Sequence, residues 1–209
     1  MTTDEILDIL ELRFPNAHCE LVHQNPFELL VAVVLSAQTT DAAVNKITPA
    51  LFEAFPTPKA LASANSKEVE AKIRRIGLYR NKARSIQALS ASLVEHFDGQ
   101  VPQSMKELTS LAGVGRKTAN VVRSVCFDIP AIAVDTHVER IAKRLGLAKV
   151  GDSVEVVEQK LKRKIKRERW NRAHHLFIFF GRYQCTARNP QCDSCSVKQF
   201  CEFYKKNNQ

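Results

Sequence analysis

The chain lacks any apolar run long enough to cross a bilayer. The longest, Leu29 to Leu35, is seven residues, against the roughly 20 that a spanning helix needs. Its start, MTTDEILDILELRF, lacks the basic stretch and apolar segment of a secretory signal, so we expect no signal peptide and no membrane partner. No glycine/serine-rich linker, internal repeat or low-complexity tract interrupts it, and no segment alternates as a strand does. What remains is an all-α fold of packed helices with short connections. Six cysteines in 209 residues fall short of the density of a disulfide-stapled secreted domain, so we expect a soluble chain in a reducing cytoplasm.

Acidic residues are the other shortage, 22 against 31 lysines and arginines, for a formal net charge of +9. Such an excess suits a polyanionic partner. The run Lys160 to Arg169, KLKRKIKRER, reads as a solvated helix face, whereas Arg80, Lys82, Arg84, Arg116 and Lys117 lie near glycine turns where phosphates could be met. Helix starts are written in the capping pairs Thr2/Glu5, Asn65/Glu68 and Ser104/Glu107. Stops are read at Gly77, near Gly99, at Gly113, at Gly146 and, after an apolar helix from Trp170, at Gly181.

Four of the six cysteines crowd into seventeen residues as Cys185-x6-Cys192-x2-Cys195-x5-Cys201. Thiols so close can surround one metal centre once deprotonated. The spacing matches neither paired zinc knuckles nor the bacterial ferredoxin run, and by itself leaves zinc and iron–sulfur both open. The wide loop from Thr186 to Gln191 presents Arg188, placed to meet a phosphate. Cys19 and Cys126 fall outside the spacing and read as small buried hydrophobes.

Leu111-Ala-Gly-Val-Gly-Arg-Lys117 joins two helices through Gly113-Val114-Gly115. The glycines permit positive φ and close backbone approach, and leave amides at the start of the next helix free for an anion. This suits a helix–hairpin–helix grip on DNA phosphates; an ordinary αα turn needs the same residues. Asp135 stands where an N-cap would, ahead of the stripe Val138, Ile141, Ala142 and Leu145. Thr136 and His137 beside it could orient a phosphate or the carboxylate, or simply form a first helical turn.

LAGVGRKTANVV, VDTHVERIAKRLGL and GRYQCTARNPQCDSCSVKQFC, with NPFELLVAVVLSAQTTDAAVNK and IGLYRNKA nearer the start, resemble the endonuclease III family of DNA glycosylases over essentially the whole chain. The resemblance implies a two-lobed helix–hairpin–helix glycosylase fold with a C-terminal [4Fe-4S] cluster loop. Residues 21–130 would form a six-helix barrel with the hairpin at about 104–126, and 1–20 with 131–209 the cluster domain, DNA lying in the cleft between. It makes Cys185, Cys192, Cys195 and Cys201 the cluster ligands, Lys117 the nucleophile and Asp135 the catalytic carboxylate. Gln38 becomes the plug and Leu78 the wedge that fill the gap left by an extruded nucleotide. Related adenine glycosylases carry tyrosine where this chain has Lys117, and an extra C-terminal domain; this chain has the lysine and ends eight residues after Cys201.

The function so implied is base excision repair by a bifunctional enzyme, N-glycosylase and abasic-site lyase. Its partner is double-stranded DNA with oxidised pyrimidines or abasic sites, met by a monomer on the nucleoid DNA of a bacterial cytoplasm. Three alternatives stand beside it: a monofunctional mismatch glycosylase of the same fold, a non-catalytic helix–hairpin–helix DNA-binding protein, and an iron–sulfur electron carrier.

Overall fold

The computed structural model describes residues 2–207, and among these every regular element is helical. The helices are α1 (Thr3–Arg13), α2 (Pro26–Leu35), α3 (Asp41–Ala54), α4 (Pro58–Ala62), α5 (Ser66–Ile73), α6 (Tyr79–Phe97), α7 (Met105–Ser110), α8 (Arg116–Phe127), α9 (Thr136–Arg144), α10 (Val154–Lys164), α11 (Trp170–Tyr183) and α12 (Glu202–Asn207). The all-α expectation is met. The chain divides into two compact units, one of Cys19–Phe127 and the other joining the segment up to His18 to everything from Asp128 onward.

In the Cys19–Phe127 unit, α2 is the central post. Asn25 caps it through the Glu28 amide and Pro26 opens it, an arrangement that uses proline where its missing N–H costs nothing. Leu29 to Leu35 are all buried, as an all-round apolar helix must be. It packs against α3, α6 and α8, whose buried stripes include Val44 and Leu51, Ile86 and Leu89, and Ala119 and Val122.

The other unit gathers α1 and α9 to α12 around a core that includes Leu7, Leu10, Val138, Ile141, Leu161 and Phe177. The Thr2/Glu5 capping box is fully formed at the start of α1. Arg172 of α11 holds α1 in place. Its Nε donates to both carboxylate oxygens of Glu11 (2.9 and 2.7 Å), and its Nη atoms reach the carbonyls of Phe14, Pro15 and Ala17. Arg169 adds Asp4 and Asp8. A planar guanidinium can meet several oxygens at once, which suits it to tying a chain end to a helix.

Several sequence readings shift. Gly77 does not stop α5, which ends at Ile73; the left-handed residue there is Leu78, φ 57°. Gly181 lies inside α11, and its bareness serves packing, since an added Cβ would sit 3.0 Å from the Cβ of His137. The KLKRKIKRER run is no single solvated face. It spans the end of α10 and a 3-10 turn, with Leu161 and Ile165 buried and Lys160 and Lys162 paired to Asp152 and Glu158. Lys82 is not a surface cation but is buried at 6% exposure.

Candidate functional site

The turn between α7 and α8 is packed directly onto the core of its unit. Gly113 takes φ 74°, and a Cβ there would lie 3.1 Å from Ser85 Cβ and 3.2 Å from Val34 Cγ1. Only glycine meets both demands. Val114 is buried and its amide donates to Leu111 O, while Gly113 and Gly115 stay exposed. The first helical bond of α8 runs from the Ala119 amide to Gly115 O. The amides before it lie at a helix end that can receive an anion. Lys117 sits in this first turn, exposed to solvent.

Asp135 belongs to the other unit and caps α9. Its Oδ1 accepts from the amides of His137 (2.9 Å) and Val138 (2.8 Å). Two bonds on one oxygen fix the carboxylate, and Oδ2 makes no hydrogen bond among the described residues. Half-buried Asp135 thus acts as the structural cap and still presents an unoccupied oxygen. Thr136 is exposed. His137 Nδ1 lies 3.1 Å from Arg140 Nη2. Burial holds His137 below its ordinary pKa, Asp135 opposing and Arg140 and Arg182 reinforcing.

Two exposed residues of the Cys19–Phe127 unit are held in left-handed backbone that non-glycine residues seldom adopt: Gln38 at φ 54° and Leu78 at φ 57°. Each such residue costs about 1–2 kcal/mol. Leu78 starts α6 without any side-chain cap and is 59% exposed, so it is not folded back on the core. Strain plus an exposed leucine is a combination that folding alone does not reward.

The four clustered cysteines converge as their spacing suggests. Cys185, Cys192, Cys195 and Cys201 line one cavity whose other walls include Leu145, Phe180, Val197 and Phe203. All six cysteines are free thiols. Among the described residues no three side chains of the ligating types close on a single ion position. A mononuclear zinc site would need its sulfurs about 2.3 Å from one ion. Thiols set around an apolar cavity fit a cubane in which each cysteine takes its own iron. Burial pushes the Cys192 and Cys195 thiols up, and the neighbouring Cys185 and Cys201 add to it. Cys192 and Cys195 therefore ionise readily only beside a strongly positive centre.

Arg144, which the sequence reading passed over, holds this loop. From the last turn of α9 it donates to Thr186 O (2.7 Å), Ala187 O (2.9 Å) and Cys185 Sγ (3.2 Å), and its guanidinium lies 4.4 Å from the ring centre of Phe203. Arg140 reaches Gly181 O and Cys185 O from one turn earlier. Arg188 lies exposed on the loop they shape. Nothing local marks Arg140 and Arg144: they are two more cations on a helix with many. Cys19 and Cys126, expected to be buried, are only half-buried, and burial with Cys19 pushes the Cys126 thiol up to about 11.

Comparison with known proteins agrees on both parts. Residues 31–167 match the family model of HhH-GPD superfamily base excision DNA repair proteins, and residues 185–201 that of the iron–sulfur binding domain of endonuclease III. The chain is 53% identical over 195 residues to the endonuclease III of Bacillus subtilis (strain 168), covering 93% of this chain and 89% of that one. It is 45% identical to that of Rickettsia felis, covering 96% and 94%. A solved trapped endonuclease III–DNA covalent intermediate, in an estranged-adenine complex, superposes with a TM-score of 0.95 at 55% identity over 100% of both chains.

Proposed function

From the premise that the chain belongs to the HhH-GPD superfamily of base excision DNA repair proteins, and within it to the endonuclease III family of DNA glycosylases and abasic-site lyases, we propose that it excises oxidised pyrimidines and cleaves the strand 3′ to the lesion through a lysine Schiff base. Its cofactor is a [4Fe-4S] cluster, for which Cys185, Cys192, Cys195 and Cys201 are the ligands we infer. The cluster supplies a structural centre that fixes the Arg188 loop. The observation that carries the proposal is Lys117 itself: an exposed amine in the first turn of α8, directly after a rigid glycine turn whose amides can hold a phosphate.

A base inside a duplex cannot be attacked, so the nucleotide must be extruded. Oxidised pyrimidines such as thymine glycol lose ring planarity and stack poorly, which lowers that cost. Leu78 fits a wedge between base steps and Gln38 a plug, since both project from strained turns into solvent. Gly113, Val114 and Gly115 grip the backbone without reading sequence; Thr136, His137 and Arg188 add further phosphate contacts. Lys117, as the neutral amine, attacks the sugar C1′ and the base departs with its bonding electrons. Asp135 accepts the amine's proton, or steadies the positive charge on the sugar, through its open Oδ2. The C1′–O4′ bond of the resulting aminal then breaks, O4′ taking up a proton, and the opened sugar becomes the Schiff base; loss of the 2′ proton expels the 3′ phosphate by β-elimination, and water hydrolyses the Schiff base. The enzyme works as a monomer, on chromosomal DNA in the bacterial cytoplasm.

Reduction with borohydride turns the Schiff base into a permanent amine. Incubating the protein with an abasic or thymine-glycol duplex and borohydride should give a covalent adduct. Lys117→Gln should bind the same duplex yet give no adduct, no excision and no cleavage. An adduct at the normal rate from Lys117→Gln would assign the nucleophile to another amine.

A further inference from the structure

Buried lysines are uncommon because an ammonium loses its hydration on leaving water. Lys82, at 6% exposure in the first turns of α6, therefore requires a reason. Among the described residues its side chain makes one hydrogen bond, Nζ to Thr39 Oγ1 at 2.7 Å. Thr39 belongs to the turn between α2 and α3, 43 positions earlier in the chain. This bond therefore ties two otherwise separate turns of the same unit together.

The two turns share an unusual feature. Thr39 directly follows Gln38, and Lys82 lies one turn after Leu78, whose carbonyl accepts the Lys82 amide at 3.0 Å. Among the described residues, Gln38 and Leu78 are half of the four non-glycine residues with positive φ, and both are exposed. The Gln38 turn has few other restraints: the Thr39 amide bonds to Ser36 O at 3.0 Å, and the Thr39 hydroxyl donates to Ala37 O only at 3.5 Å. The Leu78 turn has no side-chain cap at all. A charge-assisted bond between them is the strongest polar link either possesses.

We propose that Lys82 is a positioning residue: through Thr39 it fixes the Gln38 turn relative to the Leu78 turn, so that plug and wedge enter the duplex as one rigid pair. This rests on the reading of Gln38 and Leu78 as the inserting residues. Both side chains must fill one gap in the base stack at the same moment. A fixed spacing before contact removes the ordering entropy that two independent loops would lose on binding. Burial lowers the pKa of Lys82, so the cation is held against its own solvation preference, and its removal should not harm folding much.

The test compares affinity for a duplex with a tetrahydrofuran abasic analogue, which the enzyme cannot cleave, to affinity for the same duplex undamaged. A 2-aminopurine opposite the analogue reports opening of the stack by its fluorescence. Gln38→Ala and Leu78→Ala should each lower the damaged-to-undamaged ratio. Thr39→Val and Lys82→Met should each lower it about tenfold, the scale of one lost charge-assisted hydrogen bond, with smaller 2-aminopurine signal and undamaged binding nearly unchanged. The double variant should be no worse than either single one, and Thr39→Ser should behave as wild type. If Lys82→Met fails to fold, Thr39→Val alone decides. Loss of discrimination in Gln38→Ala and Leu78→Ala but not in Thr39→Val overturns the positioning role. Unchanged discrimination in Gln38→Ala and Leu78→Ala overturns the insertion reading, and the positioning role with it.

Discussion

Replacing Arg144 by methionine isolates what one guanidinium does for the cluster loop. Methionine keeps the length and most of the packing over Phe203 but donates nothing. Two well-made bonds are lost, to Thr186 O and Ala187 O at 2.7 and 2.9 Å, together with the weaker contact to Cys185 Sγ. A hydrogen bond from a charged group contributes about 1.5–3 kcal/mol, and Arg144 is half-buried, so the lower figure applies to each. The contact with Phe203 adds about 0.5 kcal/mol. Against this stands the hydration that the freed carbonyls regain. The net loss is about 2–3 kcal/mol of loop closure, equivalent to about 30- to 150-fold in its open-to-closed ratio. Iron release to a chelator under anaerobic conditions follows that ratio when loop opening limits access. Arg144→Met should therefore lose iron tens of times faster than wild type and bind undamaged duplex more weakly, because the Arg188 loop is no longer held. Arg144→Lys, with one point donor in place of a fork, should fall between. Wild-type iron release together with wild-type DNA affinity in Arg144→Met would refute the assignment of the loop's order to this contact.

The other expectations divide structure from chemistry in the same way. Gly113→Ala should destabilise the protein by about 1–3 kcal/mol in urea unfolding, because of its positive φ and its crowding by Ser85 and Val34. Gly115→Ala meets nothing within 4 Å, so it should unfold like wild type, and any loss of duplex affinity then reports close approach of a phosphate. Asp135→Asn keeps the oxygen that caps α9 and should melt like wild type, with turnover lower by about two to four orders of magnitude; Asp135→Ala should lose about 1 kcal/mol of stability as well. His175 is held down to about 3 by burial first, then by His174, Arg172 and His18. The folded protein thus binds its proton less readily than the unfolded chain, whose histidines titrate near 6.5. Stability should be fully present above about pH 6.5 and fall by about 1.4 kcal/mol per pH unit below it from this group alone, until the folded pKa is reached. Urea midpoints across pH should show a shallower acid limb in His175→Phe; an unchanged limb would exclude His175 as a source of acid sensitivity.

Short-range chemistry was legible in the sequence wherever the local signal and the tertiary demand agree. Thr2 with Glu5, Ser104 and Asp135 each cap the helix they precede, because a short polar side chain beside free amides has few better options. The helices α3 and α4 were passed over although Thr40, and Thr57 with Pro58, carry the same start signals; Pro49 interrupts the first, and the second is only five residues long. The glycines show where local reading stops. Gly113 and Gly146 do take positive φ, but Gly77 ends nothing and Gly181 sits within α11, bare because His137 and Arg140 press against it. A missing Cβ serves conformation and close packing alike, and one sequence does not say which.

The sequence by itself determined the all-α class, the four thiols and their spacing, the glycine turn before Lys117 and the cap position of Asp135. These depend on residues within about one helical turn to one short loop of each other, where the backbone leaves few alternatives. The tertiary structure alone decided which cations are engaged and how. Arg144 grips a loop 41 to 43 positions away, Arg172 a chain end more than 150 away, and Lys82 a hydroxyl 43 away. Lysine and arginine have long, rotatable stems and no fixed partner, so their roles follow from whatever the packed helices bring within reach.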